Sequence, residues 1–476
     1  MHEHFVLSGA AIREMGLAAL DLVVDYYESM STAPVLHPVT SAELQAKLGE
    51  PLPQEGAPFP ELLATLRDVV SKYSRRNGHP RFFGYVASPG APVAAMGSLM
   101  AAAFNINVTG WRSGAAAAEV ELLCLQWLKE MLGYQAESGG LLVSGGSMAN
   151  FAGIAAARSA KAPGNVARDG MGGVRMRMYT SPEAHFSNRK AAAMLGIGSA
   201  NVREVPTDPQ LRMDPEALRR MVLEDRAAGY LPFCVVASAG TAGTGAVDPI
   251  GAIAEVAREN NLWLHVDAAY GGFAALAPSA RGLFDRIANA DSVALDPHKW
   301  LYLPVGTGCV LYRDPATARA AFSETAEYIR VVGLQNAEAF AFWDYGPELS
   351  RPFRALDLWL LLKSVGVRAL GEAIEENIAC ARYFAQLVRA SGDCEMLAPV
   401  DLSIFCFRYR PPGYTGDLNA LNERLLLRLQ QSGSSYLSNA SVRSAFALRG
   451  CVLNYRTTRR DMEILLDDVR AAAAEA

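Results

Sequence analysis

The chain has 476 residues, 51% of them hydrophobic, and a formal net charge of -5. That is enough apolar material for a large core and two domains with an arm. A small negative charge with no basic run disfavours nucleic acid and anionic membrane surfaces as partners and leaves small molecules. The seven cysteines are scattered and never spaced C-x-x-C, which suits reduced thiols in the cytoplasm, with no disulfide framework and no metal site.

The first segment, "MHEHFVLSGAAIREMGLAALDLVVDYYESM", carries Arg13, Glu14, Asp21 and Asp25 among its apolar residues, unlike a signal peptide. Ile12, Met15, Ala19, Val23 and Tyr27 recur every three to four residues, predicting an amphipathic helix that needs a partner surface. Next, Phe82 to Trp111 holds no charged residue. Its length suits a membrane span, but Pro89, Pro92, Asn105 and Asn107 interrupt it, so a buried wall at a pocket or subunit interface is expected.

From Leu141 to Tyr312 strand-like and helix-like blocks alternate, predicting a mostly parallel sheet with helical crossovers. The strands read as "GLLVSG", "RMRMYTS", "VREVPT", "FCVVASA", "LWLHVDA", "SVALD" and "GCVLYR". Between them, "MDPEALRRMVLEDRAAG" is a helix with Asp214 as N-cap, Pro215 in the first turn and Gly229 as stop. Beyond Trp359 the pattern becomes one long helix, "LWLLLKSVGVRALGEAIEENIACARYFAQLVRA", followed by short strands such as "SIFCFRYR". This predicts a second, smaller α+β domain.

Ligands of such sheets sit at the carboxyl ends of the strands. Three ends hold suggestive residues. "LLVSGGSMANFAG" reads as a phosphate cradle at a helix start, or as a tight turn capped by Ser147. Asp267 ends "LWLHVDA" as a functional carboxylate, a helix cap or half of an ion pair; Lys299 follows "ALDPH" as a nucleophile or a solvated charge. In that order the three match what pyridoxal 5'-phosphate requires: N–H donors for its phosphate, a carboxylate for its ring nitrogen and a lysine amine for its aldehyde. His185, in "EAHFSNRKAA", is placed to stack on a flat ring, or to serve as a cap or core histidine.

These segments resemble the group II pyridoxal-phosphate-dependent amino acid decarboxylases, the family of aromatic-L-amino-acid, glutamate and cysteine-sulfinate decarboxylases. The likeness runs through "AIREMGLAALDLVVDYY", "GHPRFFGYV", "SGGSMAN", "AHFSNRKAA", "WLHVDAAYGG", "DPHKW", "PELSRPFRALDLW" and "LNYRTT"; the "HVDAAYGG" and "DPHKW" pair is the most specific. The resemblance implies the α/β fold type I, with a mostly parallel central sheet, an N-terminal helical arm and a small C-terminal α+β domain. Its expected divisions are an arm and dimer clasp at 1–80, a cofactor-binding domain at 81–355 and a small domain at 356–476. A homodimer with shared active sites is implied, Glu348 to Ser350 reaching the other subunit's phosphate.

By the same resemblance Lys299 carries the cofactor, Asp267 pairs with its ring nitrogen and His185 stacks on the ring. Ser147, Met148, Ala149, Asp296 and His298 surround the phosphate, and Thr241 and Ala269 flank the ring. Asp296 departs from the asparagine of the animal aromatic decarboxylases, and a carboxylate there repels phosphate unless it is protonated or turned toward a donor. Tyr328 in "ETAEYIR" resembles the loop tyrosine that protonates the product carbon, which aldehyde-forming members usually lack. The substrate wall falls on Tyr85, Val86, Ser88, Phe104, Thr109 and Trp111, favouring an aromatic amino acid substrate. Acidic or diamino acid decarboxylation, aldehyde synthesis and cofactor binding without turnover are the competing readings.

Overall fold

A computed structural model describes residues 5–323 and 340–475. A seven-stranded sheet organises the larger part, with strands β1 (Gly139–Val143), β2 (Met176–Thr180), β3 (Val202–Glu204), β4 (Leu231–Ser238), β5 (Trp263–Asp267), β6 (Ser292–Leu295) and β7 (Gly308–Tyr312) in the order β1-β7-β6-β5-β4-β2-β3. Pairing is parallel from β3 through β6. Only β7 reverses, lying antiparallel to β1 on one side and β6 on the other. The central strands read as continuous apolar runs because helices cover both faces; β4, "LPFCVVAS", is buried along nearly its whole length. All seven predicted strands are present, and the chain has fold type I.

The helix Pro215–Ala227 starts as expected, Asp214 accepting from the Glu216 and Ala217 N–H groups at 2.9 and 3.2 Å. The expected single helix after Trp359 is instead two, Ala355–Val365 and Val367–Ser391. Gly366, with φ +81°, takes a conformation no helix tolerates and redirects the chain. Strands β8 (Cys394–Met396), β9 (Ile404–Tyr409), β10 (Ser438–Val442) and β11 (Ala445–Cys451) then form an antiparallel sheet in the order β10-β11-β9-β8. A separate apolar cluster, including Phe384, Phe405, Phe407 and Leu465, packs around it.

The N-terminal helix spans Gly9–Glu28, capped by Ser8, and none of its residues is buried. The uncharged run folds around the helix Pro92–Phe104, in which Ala94 and Gly97 are buried while Leu99 and Phe104 are 63% and 59% exposed. Within one chain the expected wall is therefore covered on one side only. No helix among the described residues is long and apolar enough to cross a membrane.

Candidate active site

The ends of β1, β5 and β6 open into one cavity of about 740 Å³, closed from the other side by β10 and by Arg449 of β11. It unites Ser147, Met148, His185, Thr241, Asp267, Ala269, Asp296, His298 and Lys299, with Tyr85 and Val86 on its wall. Ala149 is fully buried behind the turn, and Ser88 is held outside the cavity, its Oγ donating to the His298 carbonyl at 3.0 Å. Phe104, Thr109 and Trp111 do not line the cavity of their own chain. Tyr328 lies outside the described residues.

The β1 turn is not capped by Ser147. Gly145 takes the N-cap position with φ +155°, a value open to glycine, and makes no side-chain cap. A Cβ on Gly146 would meet Asp296 Oδ2 at 2.8 Å and Ala269 Cβ at 2.9 Å, and one on Gly308 would meet Gly145 Cα at 2.6 Å. Backbone approach is thus obligatory here, and the helix Gly146–Lys161 points its N-terminus at the cavity.

Asp296 resolves the charge problem its sequence position raises. Its Oδ2 accepts from the Gly146 N–H at 3.0 Å and lies 3.2 Å from Lys299 Nζ. His298 Nδ1 directs its hydrogen to the Thr307 carbonyl at 3.0 Å, leaving Asp296 Oδ1, 2.9 Å away, without a hydrogen bond. One carboxylate oxygen is therefore turned toward donors and bound to the floor, while the other is left without a hydrogen bond.

His185 both caps the helix Phe186–Met194, its Nδ1 accepting from the Ser187 N–H at 3.3 Å, and lines the cavity. Burial lowers its pKa and so favours a neutral ring, an effect that the Asp267 carboxylate opposes. Asp267 accepts from Asn150 Nδ2 at 2.9 Å and Asn188 Nδ2 at 3.1 Å through Oδ2, and from the Ala269 N–H at 3.3 Å through Oδ1. Thr241, nearly buried, accepts from the Ala246 N–H at 3.1 Å and fixes its loop against the cavity.

Sequence reasoning missed several groups. Asn150 lies inside the quoted "SGGSMAN" and Asn188 inside "AHFSNRKAA", but their use depends on which face of a helix meets Asp267. Arg449, 4% exposed, donates to the Ala242 and Gly243 carbonyls and, at 2.8 Å, to the Tyr85 carbonyl, while its Nη2 has no acceptor. A lone arginine inside the apolar strand "FALRGCVL" was its available signal.

The family described as "Pyridoxal-dependent decarboxylase conserved domain" matches residues 42–410. The chain belongs to this family. It is a pyridoxal-phosphate-dependent amino acid decarboxylase, and its cavity fits that cofactor: glycines without room for a side chain, a helix N-terminus, an amine and a hydrogen-bonded carboxylate face one space. Over its full length it is 35% identical to the aromatic-L-amino-acid decarboxylase of Bacillus atrophaeus, covering 98% of that protein. It is 29% identical to a phenylacetaldehyde synthase of Petunia hybrida, across 94% of this chain and 91% of the other. Among solved structures, Oryza sativa TDC with PLP and tryptamine superposes with a TM-score of 0.92 at 30% identity, covering 98% of this decarboxylase and 99% of that chain.

Proposed function

We propose that this decarboxylase acts on an aromatic L-amino acid of the tryptophan, tyrosine, DOPA or phenylalanine type and releases the amine and carbon dioxide. The observation that carries the reading is the one cavity in which Lys299, Asp267 and His185 meet the glycine cradle, with Tyr85 and Phe186 also in its lining. Similarity to the Bacillus aromatic-L-amino-acid decarboxylase supports the substrate class.

Lys299 would hold the cofactor's aldehyde end, Asp267 would face its ring nitrogen, and His185 would stack on the ring. Ser147 and Met148 with His298 would receive the phosphate, with Ala149 packed behind them and Asp296 anchoring the floor; Thr241 and Ala269 would flank the ring. Bound there, pyridoxal phosphate supplies an electron sink for the pair released when the Cα–carboxylate bond breaks. The cavity walls would orient the substrate, and that orientation would decide which bond to Cα breaks. Tyr328 then donates the proton that Cα needs.

The uncovered faces of the helices Gly9–Glu28 and Pro92–Phe104 support a homodimer in which Phe104, Thr109 and the segment 348–350 serve the other chain's cavity. Seven unpaired cysteines, six of them buried, support a cytoplasmic setting.

One observation favours a second product: the likeness to a phenylacetaldehyde synthase. The test for both is incubation of the cofactor-loaded enzyme with separate aromatic, acidic and diamino acids and identification of products by mass spectrometry. Amines from the aromatic set alone are expected. Aldehyde, or amine from an acidic or diamino substrate, would overturn the product or the substrate reading respectively.

A further inference from the structure

Strand β5 reads His265-Val266-Asp267, so alternation puts His265 and Asp267 on the same face of the sheet. That face meets the helix Gly146–Lys161, on which Asn150 and Gly153 are three residues apart and neighbours. Asn150 bridges the two strand residues: its Nδ2 donates to Asp267 Oδ2 at 2.9 Å and to Ser187 Oγ at 3.0 Å, and its Oδ1 lies 2.9 Å from His265 Nε2. Beyond the imidazole, Nδ1 lies 2.8 Å from Ser292 Oγ, which accepts from Trp263 Nε1 at 2.8 Å. His265 and Ser292 are fully buried, Asn150 is 1% exposed and Trp263 4%.

Hydrogen counting fixes every direction in this chain. An ionised carboxylate only accepts, so Asn150 turns its amide nitrogen toward Asp267 and its oxygen toward His265. His265 must then carry its hydrogen on Nε2. Ser292 already accepts from Trp263, and its own hydrogen has one acceptor in reach, the bare Nδ1 of a neutral ring. Burial, which lowers the His265 pKa to about 4, agrees with that neutral form. The donors therefore run one way, from Trp263 through Ser292, His265 and Asn150 to Asp267. Gly153 seats the ring: a Cβ there would lie 2.5 Å from His265 Cε1 and 2.6 Å from Nδ1.

We propose that His265 is a positioning residue which, as the neutral Nε2–H tautomer, locks the Asn150 amide so that Asp267 stays aimed at the cofactor's ring nitrogen. The inference rests on the proposed pairing of Asp267 with that nitrogen. Asn188 holds the same carboxylate oxygen independently, so losing His265 weakens the arrangement without abolishing it.

The test compares H265L with H265Q in the cofactor-loaded enzyme, because a glutamine amide can replace the Nε2–H donor and leucine cannot. H265L is expected to lose about 10- to 100-fold in kcat and in affinity for pyridoxal phosphate, the range seen when a partner behind a metal ligand is removed. KM should change less than threefold, and the visible spectrum of the bound cofactor should depend on pH over a different range from wild type. H265Q should recover most of each loss. If H265L and H265Q match wild type in cofactor affinity and spectrum, the inference is overturned. Should H265L not fold, S292A removes the donor that selects the tautomer, and with it the acceptor of Trp263 Nε1; a pH-dependent spectrum shifted in the same direction supports the inference, and an unchanged one overturns it. D267A separates the two levels. Unchanged cofactor affinity and spectrum in D267A would sink the pairing itself, whereas large losses there with none in H265L would sink only the role of His265.

Discussion

Behind Asp267, side chains from β5, β6 and the helix Gly146–Lys161 pass donors to acceptors within one chain, whereas across the helix Pro92–Phe104 the chain leaves Leu99 and Phe104 more than half exposed. The first region is complete in itself. Its polar atoms sit where an unmade hydrogen bond would cost about 1–3 kcal/mol, so their partners are nearly all supplied. The second is incomplete, and each large apolar side chain there gains about 1.5–3 kcal/mol only when another surface covers it. If the proposed homodimer forms through the second region, one region specifies chemistry and the other assembly, and substitutions should separate the two.

The largest effect is expected from Lys299→Ala, which should lower turnover by at least about 10³-fold and abolish the visible absorption of the bound cofactor, while size-exclusion chromatography shows unchanged assembly. Retained steady-state activity would remove Lys299 from its role. Tyr328→Phe asks whether the described site is chemically sufficient. Cofactor binding should be unchanged, with amine release slowed about 100-fold or product diverted to aldehyde, as rapid-quench product analysis would reveal. An unchanged amine rate would show that another acid protonates Cα.

Phe104→Glu addresses the other region. It should shift the enzyme toward monomers in analytical ultracentrifugation and lower activity as concentration falls, because a charge would have to be buried against an apolar partner. A concentration-independent sedimentation coefficient equal to wild type would place the interface elsewhere.

The smallest effect concerns the inner side of the same helix. Asp357 packs against Gly97, accepts from Ser98 Oγ at 2.7 Å, and is raised by burial to a pKa of about 6. A raised carboxyl pKa means that the folded state holds the proton more tightly than the unfolded chain, whose value is about 3.9. Its contribution is therefore fully present below pH ~3.9 and lost as the pH rises through about 6. Asp357→Asn should be more stable than wild type by roughly 1–2 kcal/mol at pH 7.5 and no more stable near pH 4, measured by denaturant titration. Equal differences at both pH values would contradict the ionisation argument.

Much of this architecture was legible because it is local. Most of the seven strands are short apolar runs bounded by turn residues, with Asp267 at the end of β5 and Lys299 just beyond the end of β6, where the chain itself marks them. Gly366 shows where local reading stopped: helical periodicity continues on both sides of it, and only the positive φ reveals the break. His265, Asn150, Asn188 and Arg449 escaped notice for a different reason. Their roles arise where elements distant in sequence meet, and an asparagine on an apolar helix carries no sign of the carboxylate it will face. Phe104 and Thr109 are expected wall residues, but neither lines the cavity of its own chain.

The reversed strand β7 carries a temporal consequence. It lies between β1, which leads into the glycine turn, and β6, which leads into Lys299, and Gly308 at its start presses on Gly145. During synthesis β1 emerges long before the strand that pairs with it, so this contact is of high sequence separation and forms late. The nascent chain therefore has no finished floor until Tyr312 has emerged, so the cofactor site cannot serve as an early nucleus for folding.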